Sequence, residues 1–219
     1  MPFYKNLELP GKFFVFEGGE GCGKSTQAKL LAEHYQQANY PVILTKEPGG
    51  DEFYCKRIRQ VILSKFNDST LNPLVELLLF LADRAQHIQY TILPALQAGQ
   101  IVVCDRYQAS TYAYQVYARK ICTPEKFLNL STIATDGLQP DLSFWLDLDP
   151  ALGFKRKQPD EPLDRMEQEG LPFHQKVREG FADYFMRYGP ITTIIDGRLT
   201  PEEIQKFIQQ TLKQQRLLT

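Results

Sequence analysis

The stretch GGEGCGKS, residues Gly18–Ser25, decides the fold of this chain because it fits the phosphate-loop pattern GxxxxGK[ST]. It follows an apolar run, Phe13–Phe16, that is typical of a buried strand. Glycines in such a loop let successive backbone N–H groups turn toward a polyphosphate, and the helix expected from Ser25 directs its positive end to the same place. The flanking strand and helix patterns favour a nucleoside triphosphate site over an ordinary Gly-rich turn.

Side chains in and near the loop have specific chemical roles. Lys24 can neutralise the β- and γ-phosphate oxygens, and the Ser25 hydroxyl can bind Mg²⁺. Asp105 ends a predicted strand, where an acidic residue can hold the same ion directly or through water. The predicted metal ligands are therefore Ser25 and Asp105. The predicted triphosphate-binding residues are Gly18, Gly19, Glu20, Gly21, Cys22, Gly23, Lys24, Ser25 and Thr26.

The composition is that of an ordinary soluble globular chain. With 219 residues, 43% of them hydrophobic and 23% charged, the sequence suits one α/β domain over residues 1–219. A formal charge of −1 argues against a general nucleic-acid binder, which needs a net basic face. The longest apolar stretch, Leu74–Ala82, is too short to span a membrane, and the first residues lack an apolar signal segment. We therefore expect a cytoplasmic protein with no nucleic-acid or membrane partner.

The cysteines and histidines give no metal-binding pattern. The four cysteines show no CxxC spacing, so reduced structural thiols are expected rather than disulfides or a metal site. The three histidines have no ligand-like pairing along the chain either. The only metal that the sequence predicts is the Mg²⁺ that accompanies a triphosphate.

Strand and helix patterns alternate along the chain. Five short apolar segments predict strands: Lys12–Glu17, Pro41–Lys46, Ile101–Asp105, Leu142–Leu148 and Ile191–Ile195. Helical patterns occupy Ser25–Ala38, Glu52–Leu63, Leu74–Ala98, Gln108–Arg119, Pro124–Thr135, Phe173–Tyr188 and Pro201–Gln215. The alternation predicts an α/β fold of the P-loop NTPase type, with a five-stranded parallel sheet flanked by helices. Acidic residues lie at or just beyond the strand ends, where ligands collect: Glu17, Glu47, Asp105 and Asp149.

One segment breaks the composition. Residues 155–172 are dense in charged residues and proline and poor in apolar ones. This pattern is compatible with a plain surface loop and with a short lid over the phosphates, at about residues 153–172. The phosphate loop favours the lid.

A second group of residues points to a small polar ligand beside the triphosphate. Arg106 follows the third predicted strand and can grip phosphates, and Ser110–Gln115 is rich in side-chain hydrogen-bond donors. On a long predicted helix, Phe80 and Arg84 are one turn apart and share a face. They could stack on a base and bond its edge. Taken alone, Phe80 would be a core residue and Arg84 a surface ion-pair partner.

Five motifs occur in an order that resembles bacterial thymidylate kinases, from about Lys12 to the C-terminus. They are the phosphate loop, Glu47-Pro-Gly-Gly50, Leu78-Leu-Phe-Leu-Ala-Asp-Arg84, Asp105-Arg-Tyr with Ser110-Thr-Tyr-Ala-Tyr-Gln115, and Leu163-Asp-Arg-Met-Glu167. The resemblance implies a kinase that uses ATP and Mg²⁺ to convert dTMP to dTDP, in the pathway to dTTP.

The resemblance also implies an acceptor site for dTMP. Phe80 would stack on thymine, Arg84 and Gln115 would bond its polar edge, and Arg59 and Arg106 would hold the monophosphate. The implied substrate-binding residues are, in full, Glu20, Glu47, Arg59, Phe80, Arg84, Arg106, Thr111, Tyr114 and Gln115.

The remaining members of that set would surround the sugar and border the site. Glu20 would face the 3′-hydroxyl, and Glu47 would border the acceptor site. Thr111 and Tyr114 would flank base and sugar, with the Tyr114 ring crowding the place of a ribose 2′-hydroxyl.

On the donor side, the resemblance places Arg156 at the entrance of the lid, near adenine or the transferring phosphoryl group. The implied catalytic residues are Lys24, Arg106 and Arg156, and Arg156 also belongs to the ATP-binding set. Family members are typically homodimers that pack through helices such as Leu74–Ala98, so a homodimer is implied as well.

The sequence departs from the family pattern at several positions. Asp51 stands where Thr is common, and Val116 stands where Gly is usual and the backbone is more permissive. Later basic positions of the lid are neutral or acidic here, so the catalytic lid cation could be Arg156, Lys157 or Arg165. Arg165 could instead form a structural pair with Asp164 or Glu167.

Three other functions remain open at this point. The chain could be a deoxynucleoside kinase, a monophosphate kinase for another base, or a weakly active nucleotide-binding homologue. A deoxynucleoside kinase would not need Arg59 and Arg106 at an acceptor phosphate. A GTPase switch is disfavoured because the sequence contains no Asn-Lys-x-Asp motif.

Overall fold

Five parallel strands form the sheet of the computed structural model, which describes residues 9–64, 71–156, 165–189 and 191–217. In chain order the strands are β1 (Lys12–Glu17), β2 (Val42–Lys46), β3 (Ile101–Asp105), β4 (Leu142–Asp147) and β5 (Thr192–Asp196). They lie in the order β2-β3-β1-β4-β5, and each neighbouring pair is parallel. The predicted five-stranded parallel sheet is confirmed, and β1 and β3 have the predicted bounds.

The central strand, β1, is buried on both faces. Phe14 and Phe16 pack in one hydrophobic cluster together with residues of the helix Lys24–Gln37, whereas Phe13 and Val15 pack in a second cluster on the opposite face. Phe14 lies in register with residues of β3 and β4. Burial on both faces explains why β1 is a continuous apolar run without polar alternation.

Helices cover the two faces of this sheet. They are α1 (Lys24–Gln37), α2 (Phe53–Leu63), α3 (Pro73–His87), α4 (Leu93–Gln97), α5 (Gln108–Thr111), α6 (Pro124–Thr135), α7 (Pro150–Arg156), α8 (Leu171–Arg187) and α9 (Pro201–Gln214). Side-chain oxygens of Asn72 and Thr123 cap α3 and α6, and Thr200 forms a capping box with Glu203 at α9. Because caps and first-turn prolines are visible in the sequence, these three helices begin within one residue of their predicted starts.

Two predicted helices contain wider, π-helical segments. The predicted helix Leu74–Ala98 is α3, a π-helical segment at Ile88–Ile92, and α4. That segment lies just before Pro94, which has no backbone N–H to continue a regular ladder. The predicted helix Gln108–Arg119 is α5 followed by a π-helical segment at Tyr112–Ala118. Such segments often mark functional sites, because the extra residue per turn redirects side chains.

The predicted lid, at about residues 153–172, is described only in part. Residues 157–164 lie outside the part of the chain that the structure describes. The described ends are the last turn of α7, which the sequence did not predict, and a turn at residues 165–168 that precedes α8. Within the described ranges, the helices are all too short or too polar to cross a bilayer.

Candidate active site

The phosphate loop joins β1 to α1 at the carboxyl edge of the sheet. Gly21 has a φ of 67°, and a Cβ atom added there would lie 2.1 Å from the carbonyl oxygen of Gly153 in α7. The loop therefore packs directly on α7, and only glycine fits at this position. The buried Lys24 donates from Nζ to the Gly19 carbonyl oxygen over 2.6 Å, which holds its ammonium over the loop.

A pair of oxygen ligands lies beside the loop. The Ser25 hydroxyl donates to the Asp105 carboxylate at the end of β3. The other oxygen of that carboxylate, Oδ1, is buried and has no hydrogen-bond partner among the described residues. A hydroxyl and an under-used carboxylate oxygen are the hard ligands that Mg²⁺ prefers, so the donor set fits this ion.

A cavity of about 240 Å³ begins at Lys24 and Ser25 and extends between α3 and the π-helical segment Tyr112–Ala118. It gathers residues from distant parts of the sequence. Among the predicted site residues, its lining contains Glu20, Lys24, Ser25, Glu47, Arg59, Phe80, Arg84, Asp105, Arg106, Thr111, Tyr114 and Gln115.

Other predicted site residues lie outside this lining. Gly18, Gly19, Gly21, Cys22 and Gly23 form the loop itself, and Thr26 is exposed in the first turn of α1. Arg156, at the end of α7, donates from Nη1 to the Gly197 carbonyl oxygen over 2.7 Å, beyond β5. Asp149 accepts from the backbone of α7 and does not border the cavity.

Arg84 is buried at the wall of the cavity, with only 1% of its surface exposed. Its Nε donates to Glu47 over 2.8 Å and its Nη2 to the Thr111 hydroxyl over 3.0 Å, while Nη1 has no partner among the described residues. Burial acts to lower the pKa of Arg84, but the combined effects of Glu47 and other neighbouring groups make the net shift upward. A surface ion-pair role for Arg84 is therefore wrong. Phe80, one turn earlier, is partly exposed and lines the same cavity.

Arg106 contacts the phosphate loop and also lines the cavity. It has a φ of 78°, which is unusual for a residue with a side chain. Its guanidinium donates to the Gly18 carbonyl oxygen over 3.0 Å and to Glu20 over 2.5 Å. The Tyr114 hydroxyl donates to the same Glu20 oxygen over 2.7 Å. Burial acts to lower the pKa of Arg106, but the neighbouring acidic groups, Glu20 first among them, together raise it, so the side chain keeps its charge.

Glu17, at the end of β1, is hydrogen-bonded to the segment that follows Arg106. Its carboxylate accepts from the Tyr107 backbone N–H over 2.9 Å and from the Ser110 hydroxyl over 2.5 Å. Burial raises the pKa of Glu17 against the opposing effect of the Ser110 hydrogen bond. These contacts fix the turn that carries Arg106.

The loop Glu47–Gly50 is held by two further side chains. Arg59 donates from Nη1 to the Pro48 carbonyl oxygen over 2.6 Å. Asp83, which sequence reasoning missed, accepts from the Gly49 backbone N–H at 3.0 and 3.2 Å. Burial and the Glu47 carboxylate raise the pKa of Asp83 to about 7.

The interior behind this loop contains a grouping that the cysteine and histidine spacing did not reveal. Ligand atoms of Glu47, His87 and Cys104 lie within 4.8 Å of one another. The two His87 nitrogens already contact Glu47 at 3.0 Å and Thr45 at 2.7 Å, and the Cys104 thiol donates to a backbone carbonyl. Hydrogen bonds therefore account for this grouping.

Arg165 contacts α2 and α3. It pairs with the buried Glu76 of α3 and donates to the Ile62 carbonyl oxygen over 3.1 Å. Asp164 lies outside the described residues, and Glu167 lines the cavity. The turn at residues 165–168 brings Arg165 to α3, a contact that the sequence could not indicate. Its pairing with Asp164 or Glu167 stays a prediction.

Comparison with known proteins agrees with this geometry. The family model described as thymidylate kinase matches residues 16–208. The chain belongs to the thymidylate kinase family. Membership confirms the resemblance drawn from the five motifs.

Three relatives that bear the name thymidylate kinase show the extent of the similarity. The protein of Nostoc punctiforme is 41% identical over 94% of this chain and 97% of its own length. The protein of Synechococcus sp. (strain JA-2-3B'a(2-13)) is 48% identical over 77% of this chain and 78% of its own length. The protein of Caldanaerobacter subterraneus subsp. tengcongensis is 38% identical over 94% and 97%, respectively.

Proposed function

We propose that this chain transfers the γ-phosphoryl group of ATP to the 5′-phosphate of dTMP, giving dTDP and ADP on the route to dTTP. An oxygen of the acceptor phosphate forms a bond to the γ-phosphorus while the bond from that phosphorus to the β,γ-bridging oxygen breaks. The observation that carries the proposal is the cavity that runs from Lys24 of the phosphate loop to Phe80 and Arg84. It offers one continuous space for an acceptor nucleotide beside the donor phosphates.

The base end of this cavity suits thymine. The partly exposed Phe80 ring can stack on a planar base, and Arg84 offers a buried Nη1 donor without a partner among the described residues. An unpaired buried donor is costly, so a ligand oxygen at that atom is favoured. The 4-oxo group of thymine supplies such an oxygen. Gln115 lies at the same wall.

The middle of the cavity suits a deoxyribose and its phosphate. Glu20 and Tyr114 are hydrogen-bonded to each other and border the space between base and phosphate loop. We assign Glu20 to the 3′-hydroxyl, and Thr111 and Tyr114 to the flanks of base and sugar. Arg59 and Arg106 supply the positive charge for the acceptor phosphate.

The chemistry requires positioning and charge neutralisation more than a general base. Lys24 would neutralise charge on the β- and γ-phosphates, and Arg106 would hold the acceptor in line. Ser25 and Asp105 would hold Mg²⁺, which supplies further charge neutralisation when it is bound. Glu47 orients Arg84 at the border of the site.

The donor nucleotide would extend from the phosphate loop toward α7. Arg156 would be the lid cation that acts near the transferring phosphoryl group, because α7 packs on Gly21 of the phosphate loop and ends at Arg156. In our proposal, a lid at about residues 153–172 belongs to a single domain spanning residues 1–219. Arg156→Ala should reduce turnover by about 10³-fold or more, the magnitude typical of an arginine at the transferring group. Lys155→Ala is the matched control, and equal losses in both variants would contradict the assignment.

We also propose that the protein is a homodimer that packs through α2 and α3. These helices leave large apolar side chains exposed: Phe53, Tyr54, Val61, Leu74, Val75 and Leu78. Such a patch is typical of an interface. Light scattering should report a dimer for the parent protein and a monomer for Leu78→Glu. Phe207→Glu, on the partly exposed face of α9, is the control and should stay dimeric.

The cysteines support a reducing, cytoplasmic location. All four are free thiols, and three of them are buried. Unpaired buried thiols are usual where disulfides do not form. Cell fractionation with compartment markers would test this assignment.

A substrate panel tests the proposed reaction. Purified protein with Mg-ATP is incubated with dTMP, dUMP, dCMP, dGMP, AMP or thymidine, and the products are separated by chromatography. The proposal predicts dTDP from dTMP as the fastest reaction and no product from thymidine. Phosphorylation of thymidine but not of dTMP would identify a deoxynucleoside kinase.

A further inference from the structure

Glu76 is a buried carboxylate on the face of α3 that borders the cavity. It lies one helical turn before Phe80 and two turns before Arg84, so the three side chains share one face of the helix. Only 1% of Glu76 is exposed. Its burial close to the proposed base site needs an explanation, because a buried carboxylate is costly unless it is paired.

Three side chains surround the Glu76 carboxylate. Arg165 pairs with one oxygen, and the Arg119 Nε lies 3.3 Å from the other. The Gln115 amide nitrogen donates to that second oxygen over 2.9 Å. Two guanidinium groups thus pair with this buried carboxylate and offset the cost of burying it.

This contact decides how the Gln115 carboxamide is turned. A carboxylate anion can only accept hydrogen bonds, so the NH₂ group of Gln115 must face Glu76. The carboxamide oxygen is then left for the cavity, which Gln115 lines. With a neutral partner in place of Glu76, the carboxamide could turn either way.

Gln115 and Arg84 both line the cavity, and they offer the base the Gln115 oxygen and the Arg84 Nη1, which has no partner in the part of the chain that the structure describes. One is an acceptor and the other a donor. The 4-oxo and N3–H groups of thymine and uracil match this pair. The 4-amino group and bare N3 of cytosine would set donor against donor and acceptor against acceptor, leaving buried polar groups unpaired.

We propose that Glu76 is a positioning residue for base discrimination: by accepting the amide protons of Gln115, it presents the Gln115 oxygen to the base and rejects cytosine. The inference rests on the proposed function, since it concerns the same acceptor site. It assigns no contact between Glu76 and the substrate. Uracil is an internal control, because it has the same polar edge as thymine.

The variant Glu76→Gln tests this assignment through relative kcat/KM values for dTMP, dUMP and dCMP at saturating Mg-ATP. The kcat/KM ratio of dTMP to dCMP should fall by about 10-fold or more, since one buried hydrogen bond is no longer enforced. The ratio of dTMP to dUMP and the KM for ATP should stay within about twofold of the parent values. An unchanged ratio of dTMP to dCMP in the folded variant would overturn the proposal.

A double-variant comparison separates positioning from general support of the fold. If Glu76 acts through Gln115, Glu76→Gln should cause no further fall in the ratio of dTMP to dCMP when Gln115→Ala is already present. A further fall of the same size as in the parent background would overturn the proposal. A general structural role would instead lower the rates with all three substrates together.

A conservative variant covers the case in which Glu76→Gln does not fold. Glu76→Asp keeps the charge that pairs with Arg119 and Arg165, but its carboxylate is one methylene short of Gln115. The ratio of dTMP to dCMP should fall by about threefold, less than for Glu76→Gln, because the contact is weakened and the anion remains. An unchanged ratio in folded Glu76→Asp would contradict the inference. Failure of the proposed function is distinguishable, because the parent protein itself would then not phosphorylate dTMP.

Discussion

Arg84 donates from Nε to Glu47 over 2.8 Å, while Nη1 of the same guanidinium is buried without a partner among the described residues. The ion pair fixes the plane of the guanidinium of a side chain that lines the cavity, and it leaves the hydrogen-bonding capacity of Nη1 unused within the described ranges. Two of the three guanidinium nitrogens, Nε and Nη2, are thus used for structure, and Nη1 is available for a ligand.

Replacing Arg84 should therefore affect the acceptor far more than the donor. We expect Arg84→Met to weaken dTMP binding by about 30-fold or more, because a charge-assisted hydrogen bond is lost. ATP affinity should stay within about twofold by titration calorimetry, since Arg84 lies outside the phosphate loop. The variant should also lose about 1–3 kcal/mol of stability, because Glu47 loses one buried partner and keeps His87. Equal losses for both nucleotides would contradict the assignment, and Arg198→Met at an exposed ion pair is the control.

Lys24 should be needed for turnover and not for acceptor binding. Its ammonium is held over the phosphate loop by the Gly19 carbonyl oxygen, at the donor end of the cavity. We expect Lys24→Ala to reduce kcat by about 10³-fold or more, because charge stabilisation at the transferring group is lost. The Kd for dTMP should change by less than about threefold. Loss of dTMP binding would place the acceptor elsewhere; Lys29→Ala, exposed on α1, is the matched control.

Asp83 should make stability depend on pH. Its pKa is raised to about 7 by burial and by Glu47, whereas an unfolded Asp titrates near 3.9. Between these values the folded protein binds a proton that the unfolded chain does not, so its stability falls as the pH rises through this window. Asp83→Asn removes the effect, and its stability relative to the parent should increase by about 2 kcal/mol from pH 5 to pH 7.

Urea unfolding at pH 5, 6, 7 and 8 measures this difference. It should grow up to about pH 7 and then level off, following the titration of a single group. The exposed Asp51→Asn should show no such trend and is the control. A difference between Asp83→Asn and the parent that is the same at all four pH values would show that Asp83 is ionised throughout.

Tyr114 should exclude ribonucleotides through its ring and not through its hydroxyl. The ring is buried at the cavity, and the hydroxyl binds Glu20 over 2.7 Å. Tyr114→Phe should keep the preference for dUMP over UMP within about threefold, because the ring remains. Tyr114→Leu should reduce that preference by about 10-fold or more, since space opens for a 2′-hydroxyl. Initial rates with dUMP and UMP measure this preference. A similar loss of preference in both variants would show that the hydroxyl, and not the ring, excludes ribonucleotides.

The sheet could be predicted because its signals are local. The phosphate loop requires a strand before it and a helix after it, and the continuous apolar run of β1 matches burial on both faces. Proline in the first turn and polar caps marked the starts of α3, α6 and α9. These features depend on residues that are adjacent in sequence, so a single sequence contains them.

The features that could not be predicted depend on contacts between distant segments. The segment Tyr112–Ala118 has ordinary helical periodicity, and no local pattern indicates the π-helical geometry with which it packs against α8. Helix α7 is short and lies against Gly21 of the phosphate loop, which no local pattern indicates. The same limit applied to Glu76, which interrupts the apolar stretch Leu74–Ala82. The break in the apolar pattern was the only sign in the sequence that Glu76 is special, because its partners are about 40 to 90 residues away.

A crystal structure with bound dTMP is the most direct test of the central claim, which is that the cavity beside the phosphate loop receives this nucleotide. The account predicts the thymine ring on Phe80, its 4-oxo group within hydrogen-bond distance of Arg84 Nη1, and the phosphate between Arg59 and Arg106. Binding of dTMP at any other place, with this cavity empty, would contradict it.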